Sequence, residues 1–278
     1  MAATLPALWT AEWIVIGFFA YLVVLCLLRP LPSPVRRRIL LVGILCIAAP
    51  ILLAQLRPSP ALLIIREWIP GLYLMEGYWL CGLFFRAPMT GVERWLLAID
   101  AAAFDRTRLR ALLARAPAAV ASWFELAYLL AYPFVPGAFA ALVVLGQRGR
   151  ADEFWTALLA ASFACYGMLP WIQTRPPRAL ATDRPLYAPH HRLRRLNAAV
   201  LQRMSVQWNT FPSGHAASAT AAALAVASTG HAVAGAAFIF IAASITVATV
   251  LGRYHYLLDT LLGLALGLAA WRIAGIVA

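Results

Sequence analysis

Lysine is absent from this chain, and its 23 basic side chains other than histidine are all arginine. Schiff-base catalysis and general-base catalysis by lysine are therefore excluded. Acidic residues are also few, at 11, which leaves a formal net charge of +12. Because the arginines lie between apolar segments, their expected partners are the anionic head groups of membrane lipids and not nucleic acid.

Charge of either sign is scarce, since charged residues make up 12% of the 278 positions and hydrophobic residues 63%. Several apolar runs approach the roughly 20 residues that a helix needs to cross about 30 Å of hydrocarbon. The runs are continuous and not alternating, which indicates helices. The sequence therefore predicts an all-α polytopic transmembrane bundle of about seven spans, within a range of six to eight. The predicted spans are 11–28, 39–56, 118–146, 153–172, 212–229, 232–251 and 255–276.

Cysteine is limited to four residues, each within an apolar segment and without a close partner in sequence. They are Cys26, Cys46, Cys81 and Cys165. We interpret them as small buried apolar side chains. No spacing typical of metal ligands occurs, so the sequence predicts neither a metal nor another cofactor.

Three segments connect or interrupt the predicted spans. Segment 68–85 is apolar and aromatic but is broken by proline and glycine, and we expect an interfacial or re-entrant helix there. Segment 86–117 is a polar connection with helical character, expected on the membrane surface. Segment 173–210 is a long loop rich in arginine. The chain is predicted to form one membrane domain, with N-terminal spans and an interfacial segment in 1–117 and a catalytic core in 118–278.

The membrane orientation is left open by charge. The basic first loop is a cytoplasmic candidate by the positive-inside rule. If segment 68–85 does not cross, that choice places the loop 173–210 outside; if it crosses, the loop lies inside. The first apolar run is interpreted as a retained span, because no basic segment or cleavage site of a signal peptide accompanies it.

Histidines and arginines cluster at the ends of the last predicted spans. His215 lies at the start of one span, His255 lies at the start of the last, and Arg175 follows the span 153–172. Between the two histidines the chain goes out along one helix and returns along the next. All three clusters are therefore expected at the same membrane face. Ionisable side chains at such positions usually serve chemistry or transport.

His255 and Asp259 are four residues apart, which places them on one face of a helix. A carboxylate that accepts from one imidazole nitrogen fixes the tautomer and leaves the other nitrogen free to attack. Asp259 is the only acidic residue after Asp183. The alternative interpretation is a structural pair that ties two helices together.

The sequence Pro212-Ser213-Gly214-His215 is typical of a helix start, with proline in the first turn and serine as the cap. Free N–H groups at a helix N-terminus bind anions, and Gly214 allows close approach of the backbone. His215 is then placed to protonate or deprotonate an oxygen. The alternative is an ordinary capped helix with an incidental histidine.

Three arginines are predicted to bind phosphate, because guanidinium groups recognise phosphate through two parallel hydrogen bonds. They are Arg175, Arg178 and Arg253. The alternative for each is a contact with solvent or with lipid head groups, which is our interpretation of four other arginines of the loop: Arg184, Arg192, Arg194 and Arg195. His190 and His191 carry no assigned role, and His231 lies at the opposite face. A metal or haem site built on His215 and His255 lacks further ligands.

These residues resemble the phosphatidic acid phosphatase type 2 superfamily of integral membrane lipid phosphatases and phosphotransferases. The family has an arginine-proline motif, then Pro-Ser-Gly-His, then a motif that ends in histidine with aspartate four residues on; the resemblance covers about residues 150–276. Two positions depart from it. Met168 stands where the family has lysine, and Thr249 where it has arginine, with Arg253 one helical turn later as a candidate substitute. The arginine motifs are similar to those of the branch with inositol phosphorylceramide synthase and sphingomyelin synthase relatives.

The resemblance implies a six-helix phosphatase-type core in the inner membrane, with an extracytoplasmic active site and no metal or cofactor. His255 would form a phosphohistidine, oriented by Asp259, and His215 would transfer protons. The phosphate oxygens would be held by the three arginines and by the N–H groups around Ser213 and Gly214. A lipid phosphate phosphatase is the first hypothesis, and transfer of a head group to a lipid alcohol by the same triad is the second. A transporter whose histidines relay protons is the third.

Overall fold

The computed structural model describes residues 8–180, 186, 191–208 and 210–278, except for the side chain of His191. Its regular elements are helices, and no strand occurs in this part of the chain. The predicted all-α class is confirmed. In chain order the helices are α1 (Thr10–Leu28), α2 (Ser33–Gln55), α3 (Pro60–Trp68), α4 (Pro70–Gly82), α5 (Thr90–Phe104), α6 (Leu109–Leu113), α7 (Ala118–Val144), α8 (Ala151–Met168), α9 (His191–Met204), α10 (Gly214–Ala227), α11 (Ala232–Leu251) and α12 (Leu257–Val277).

The helices form a membrane bundle. Among the described residues, five helices are long and apolar enough to cross a membrane, namely α1, α2, α7, α11 and α12. Helices α8 and α10 also fall in predicted spans, and they lie among the others: α8 packs on α1, α4, α10 and α12. Their buried sides are lined by small and aromatic residues.

Helix α4 follows a path different from the one expected for 68–85. It begins beside Trp155 in the first turns of α8 and ends where Phe84 accepts a hydrogen bond from Gln173, just beyond α8. The segment therefore runs between the two ends of the bundle, parallel to α8, and not along one interface. Its aromatic and glycine residues are used for packing, because Gly77 lies directly against Phe18 and Phe163.

The connections gather at two ends. We call one the basic end; it comprises the described residues of 29–38, 83–117, 169–213 and 252–256. The opposite end comprises 8–12, 55–69, 145–153, 228–231 and 272–278. Arg29 donates from Nη1 to the carbonyl oxygen of Pro170 at 2.8 Å. The first loop and the start of the arginine-rich loop therefore lie at the same end, which is the arrangement expected if 68–85 crosses.

Contact between α10 and α12 positions the histidine motifs. A Cβ added to Gly263 would lie 2.3 Å from the carbonyl oxygen of Ser213, and one added to Gly267 would lie 2.5 Å from that of Ala217. Since residues four apart share a helix face, the two glycines let the backbones of α10 and α12 touch. The first turns of both helices are thus held side by side at the basic end.

Helix α5 lies in the connection 86–117, where helical character was expected. Its buried residues recur on one face: Glu93, Leu96, Asp100 and Phe104. This face packs on α12, although α5 precedes residue 118, where we placed the start of the catalytic core. That boundary stays a prediction.

Candidate active site

Residues from the three predicted clusters line one cavity of about 390 Å³ at the basic end. The ring centroids of His215 and His255 are 5.6 Å apart, at an interplanar angle of 62°. Arg178 lines the same cavity, which continues between α4, α7 and α8 as far as Trp68 and Trp155. Segments 37 or more residues apart in sequence therefore bring two imidazoles and a guanidinium together.

The ring of His255 is held through Nδ1. This nitrogen lies 3.1 Å from the carbonyl oxygen of Thr210 and 3.2 Å from Oδ2 of Asp259. Both partners are acceptors, so we assign the proton to Nδ1, which leaves Nε2 with its lone pair. Burial and the nearby Arg178 guanidinium lower the pKa of His255, and the neutral ring is the nucleophilic form.

Asp259 is fully buried in the first turn of α12. Its backbone carbonyl accepts a hydrogen bond of 3.0 Å from the N–H of Ser213. The Thr260 hydroxyl lies 3.4 Å from Oδ1. The residue that orients His255 therefore also joins α12 to the start of α10, so the two motifs are fixed relative to each other.

The start of α10 has the expected cap. The Ser213 hydroxyl accepts from the N–H of Ala216 at 3.3 Å, and Ser213 is fully buried outside the cavity lining. Gly214 lines the cavity, but its lack of a side chain has another reason: a Cβ there would lie 2.6 Å from Cε1 of Tyr166. His215 follows in the first turn, half-buried, with its ring facing the cavity.

Arg178 is the predicted phosphate ligand that faces the histidines. Its backbone N–H donates to the carbonyl oxygen of Arg253 at 3.0 Å. Its guanidinium lies 5.4 Å from the ring centroid of Tyr254, and Nη1 lies 3.4 Å from that residue's carbonyl oxygen. No carboxylate within the described ranges forms an ion pair with it. Arg178 thus places a positive charge on the wall of the cavity that holds both imidazoles.

Arg175 lies outside the cavity lining and is paired with Glu93 of α5. Its Nε is 3.0 Å from Oε1 and its Nη2 is 2.7 Å from Oε2, while its backbone N–H also donates to Oε1 at 2.7 Å. Although burial opposes ionisation, these hydrogen bonds lower the pKa of Glu93. The phosphate-binding role of Arg175 stays a prediction, and this placement favours a role in fixing the loop.

Arg253 is buried and its Nη1 lies 2.5 Å from Oδ2 of Asp100. Oδ1 of the same carboxylate accepts from the N–H of Leu257, the first residue of α12, at 2.9 Å. Arg253 has a φ of 61°, which is uncommon outside glycine. It does not line the cavity, so its phosphate-binding role and its substitution for the arginine absent at Thr249 stay predictions.

Other functional candidates were missed by sequence reasoning. Glu125 of α7 is fully buried; it pairs with Arg194 at 3.1 Å and accepts from the Tyr254 hydroxyl at 2.9 Å. An acidic residue inside a predicted span was an available signal for it. The cavity is also walled by tyrosines that the motifs did not identify. They are Tyr78, Tyr128, Tyr132, Tyr166 and Tyr254.

The remaining titratable side chains add no further ligand set. Arg184 and His190 lie outside the described residues, as does the side chain of His191. His231 is exposed at the opposite end. In the part of the chain that the structure describes, no group of three or more His, Cys, Asp or Glu residues is arranged to hold a metal ion.

A family model described as the PAP2 superfamily matches residues 94–273, more than half of the chain. The matched range contains both histidines, Asp259 and Arg178. Comparisons with curated proteins and with solved structures give no significant match.

Proposed function

Because the chain belongs to the PAP2 superfamily, we propose that it is an integral membrane lipid phosphate phosphatase that works through a phosphohistidine at His255. The observation that carries the proposal is the pair of imidazoles in one cavity, 5.6 Å apart by centroid, of which one is oriented through Nδ1 by Asp259. Family membership supports phosphatase or phosphotransferase chemistry. The lipid substrate and the phosphohistidine intermediate are our proposals.

The first step forms a bond between Nε2 of His255 and phosphorus, while the bond from phosphorus to the lipid oxygen breaks. His215 donates a proton to that oxygen. Asp259 stabilises the positive charge that develops on the attacking ring. In the second step His215 takes a proton from water, water attacks phosphorus, and the N–P bond breaks to release inorganic phosphate. The step returns His255 to its neutral form.

The phosphoryl oxygens gain negative charge in the transition state and need fixed positive partners. Arg178 supplies a full charge in the cavity. The N–H groups of Gly214 and His215 supply the positive end of a helix dipole. In this scheme Arg175 and Arg253 do not contact the substrate. They form ion pairs with Glu93 and Asp100 of α5, and these pairs hold in place the segments that carry Arg178 and His255.

A head-group transferase is the second candidate, because the cavity offers more room than phosphate and a water molecule need. It extends past the histidines along α7 to Trp68 and Trp155, so a lipid alcohol could replace water as the acceptor. Labelled phospholipid offered with and without candidate alcohols separates the two. A product that appears only with the alcohol favours transfer. The third candidate, a proton-relay transporter, has no support in the family match.

The side of the membrane is also part of the proposal. Seventeen described arginines lie at the basic end: four in 29–38, six in 83–117, six in 173–210 and Arg253. Five lie at the opposite end. Since arginine is retained on the cytoplasmic side of membrane proteins, we propose that the site opens to the cytoplasmic leaflet of the inner membrane. The resemblance implies the other face, and the charge distribution opposes that implication.

The test replaces the proposed nucleophile. Purified His255→Gln protein is offered a panel of phosphatidate, phosphatidylglycerophosphate, prenyl diphosphate and sphingolipid phosphates in detergent. We expect phosphate release to fall by at least about 10³-fold, as when other enzymes lose a nucleophile. His231→Gln, which removes the exposed histidine at the opposite end, should keep full activity. Wild-type release from one of these lipids, unchanged in the His255 variant, would exclude the phosphohistidine.

A further inference from the structure

Tyr132 lines the cavity, and its hydroxyl is buried without a hydrogen-bond partner. A buried hydroxyl with no partner is unfavourable and is rare in folded proteins. Three other side chains in the described part of the chain have such an atom. They are Tyr73, Ser162 and Asn197, and none of them lines the cavity. Tyr132 is therefore the one of the four residues that lines the cavity.

The position of Tyr132 along α7 relates it to one part of the proposed reaction. Tyr128, Tyr132, Val135 and Pro136 line the cavity from one face of α7, because residues three and four apart share a face. Helix α7 runs from the basic end toward the opposite end, so Tyr132 lies one turn deeper than Tyr128. Beyond it the cavity wall is apolar. Tyr132 thus lies between the polar end of the cavity and its apolar part.

The ring of Tyr132 meets the ring of His215 edge-on, with centroids 5.9 Å apart at 80°. A lipid phosphate in this cavity places its phosphoryl group at His255 and Arg178 and its chain in the apolar part. The oxygen that joins them then lies beside His215 and Tyr132. A phenol can donate a hydrogen bond to that oxygen and can accept one from water or an alcohol that replaces it.

We propose that Tyr132 is a catalytic residue, whose hydroxyl donates a hydrogen bond to the lipid oxygen while His215 transfers the proton to it. The proposal rests on the proposed function. The bond from phosphorus to this oxygen breaks, the proton on the oxygen comes from His215, and Tyr132 keeps its own proton. Its contribution is to stabilise negative charge on the leaving oxygen.

This role predicts a dependence on the leaving group. The alkoxide that leaves a lipid monophosphate is a poor leaving group and needs the hydrogen bond. The nitrophenolate of p-nitrophenyl phosphate, or the lipid monophosphate that leaves a lipid diphosphate, needs it much less. Loss of the hydroxyl should therefore affect the substrates unequally, whereas a structural defect would affect them equally.

The experiment compares Tyr132→Phe with Tyr73→Phe, which removes an equally buried and unpartnered hydroxyl away from the cavity. The constant kcat/KM is measured, since it reports formation of the phosphoenzyme. For a lipid monophosphate we expect Tyr132→Phe to lower it by about 10²-fold, the scale of losing one transition-state donor. For the better leaving group we expect a loss below about threefold, and for Tyr73→Phe no loss with either substrate.

The ratio of the two substrates is measured on one protein sample, so it does not depend on the folded fraction. An unchanged monophosphate rate in Tyr132→Phe, or equal losses on both substrates, overturns the proposal while the phosphatase function stands. If the wild type releases phosphate from no lipid, the proposed function fails and this inference fails with it.

Discussion

The two ends of the bundle use buried carboxylates in the same way. At the opposite end, Glu12 pairs with Arg66 at 2.6 Å and Glu67 pairs with Arg148 at 2.7 Å. Each pair joins separate elements, since Arg66 belongs to α3 and Glu12 to α1. Removal of one partner from such a pair leaves a buried charge without compensation. These pairs hold the helices in place.

The basic end has the same kind of pairs and, in addition, an arginine that lines the cavity. Glu93, Asp100 and Glu125 each pair with an arginine, as the pairs at the opposite end do. Arg178 differs: it faces the histidines and has no ion pair with a described carboxylate. In the function proposed above, Arg178 is the phosphate ligand, and the paired arginines hold the fold together.

The sharpest test of the difference between the ends is their side of the membrane. The four native cysteines are buried, so cysteines introduced at exposed positions can be labelled selectively. In intact cells, an impermeant thiol reagent should label His231→Cys at the opposite end and leave Ser33→Cys at the basic end unlabelled until the cells are lysed. The reverse labelling pattern would place the site on the extracytoplasmic side and contradict the proposed cytoplasmic orientation.

The next largest effect concerns Arg178. Arg178→Gln should lower kcat/KM for the lipid phosphate by about 10³-fold, because one charged donor to the transition state is lost. The unfolding temperature should stay near that of the wild type, since no ion pair is broken. Arg203→Gln serves as the control; it removes a charge from an exposed position of α9 at the same end. Equal rates in the two variants would contradict the assignment of Arg178 as the phosphate ligand.

The sequence predicted the all-α bundle from the length of its apolar runs. It predicted the common face of the motifs from the direction of the chain between them. It could not find the partners of the arginines. Asp100 lies 153 residues before Arg253, and Glu93 and Asp100 share a face of α5 only once that helix is formed. Gly214 is a similar case. We predicted a glycine there to let an anion approach the backbone, but the space that a side chain would fill is occupied by the ring of Tyr166.

The path of α4 was missed for a similar reason. Proline, glycine and aromatic residues in 68–85 are typical of an interfacial helix. In the bundle they contact α1 and α8, where Phe18 and Phe163 stack at 3.9 Å beside Gly77. Composition alone cannot distinguish an aromatic that lies at the head groups from one that packs between helices.

The smallest expected effect on kcat/KM comes from the pair of Asp100 and Arg253. It tests directly whether an arginine that is paired with an acid of the fold also acts on the phosphate. Asp100→Leu removes this carboxylate from the buried guanidinium of Arg253 and should lower stability by about 3 kcal/mol, with activity falling in proportion to the folded fraction. The double variant Asp100→Leu, Arg253→Met removes both charges and should recover stability, since replacing a buried pair by apolar groups is often neutral.

Thermal unfolding and kcat/KM per folded molecule are measured together. Arg66→Gln, at the opposite end, is the control that should change stability alone. A double variant that folds but loses about 10²-fold in kcat/KM would show that Arg253 acts on the phosphate, and the basic end would then have two arginines with that role.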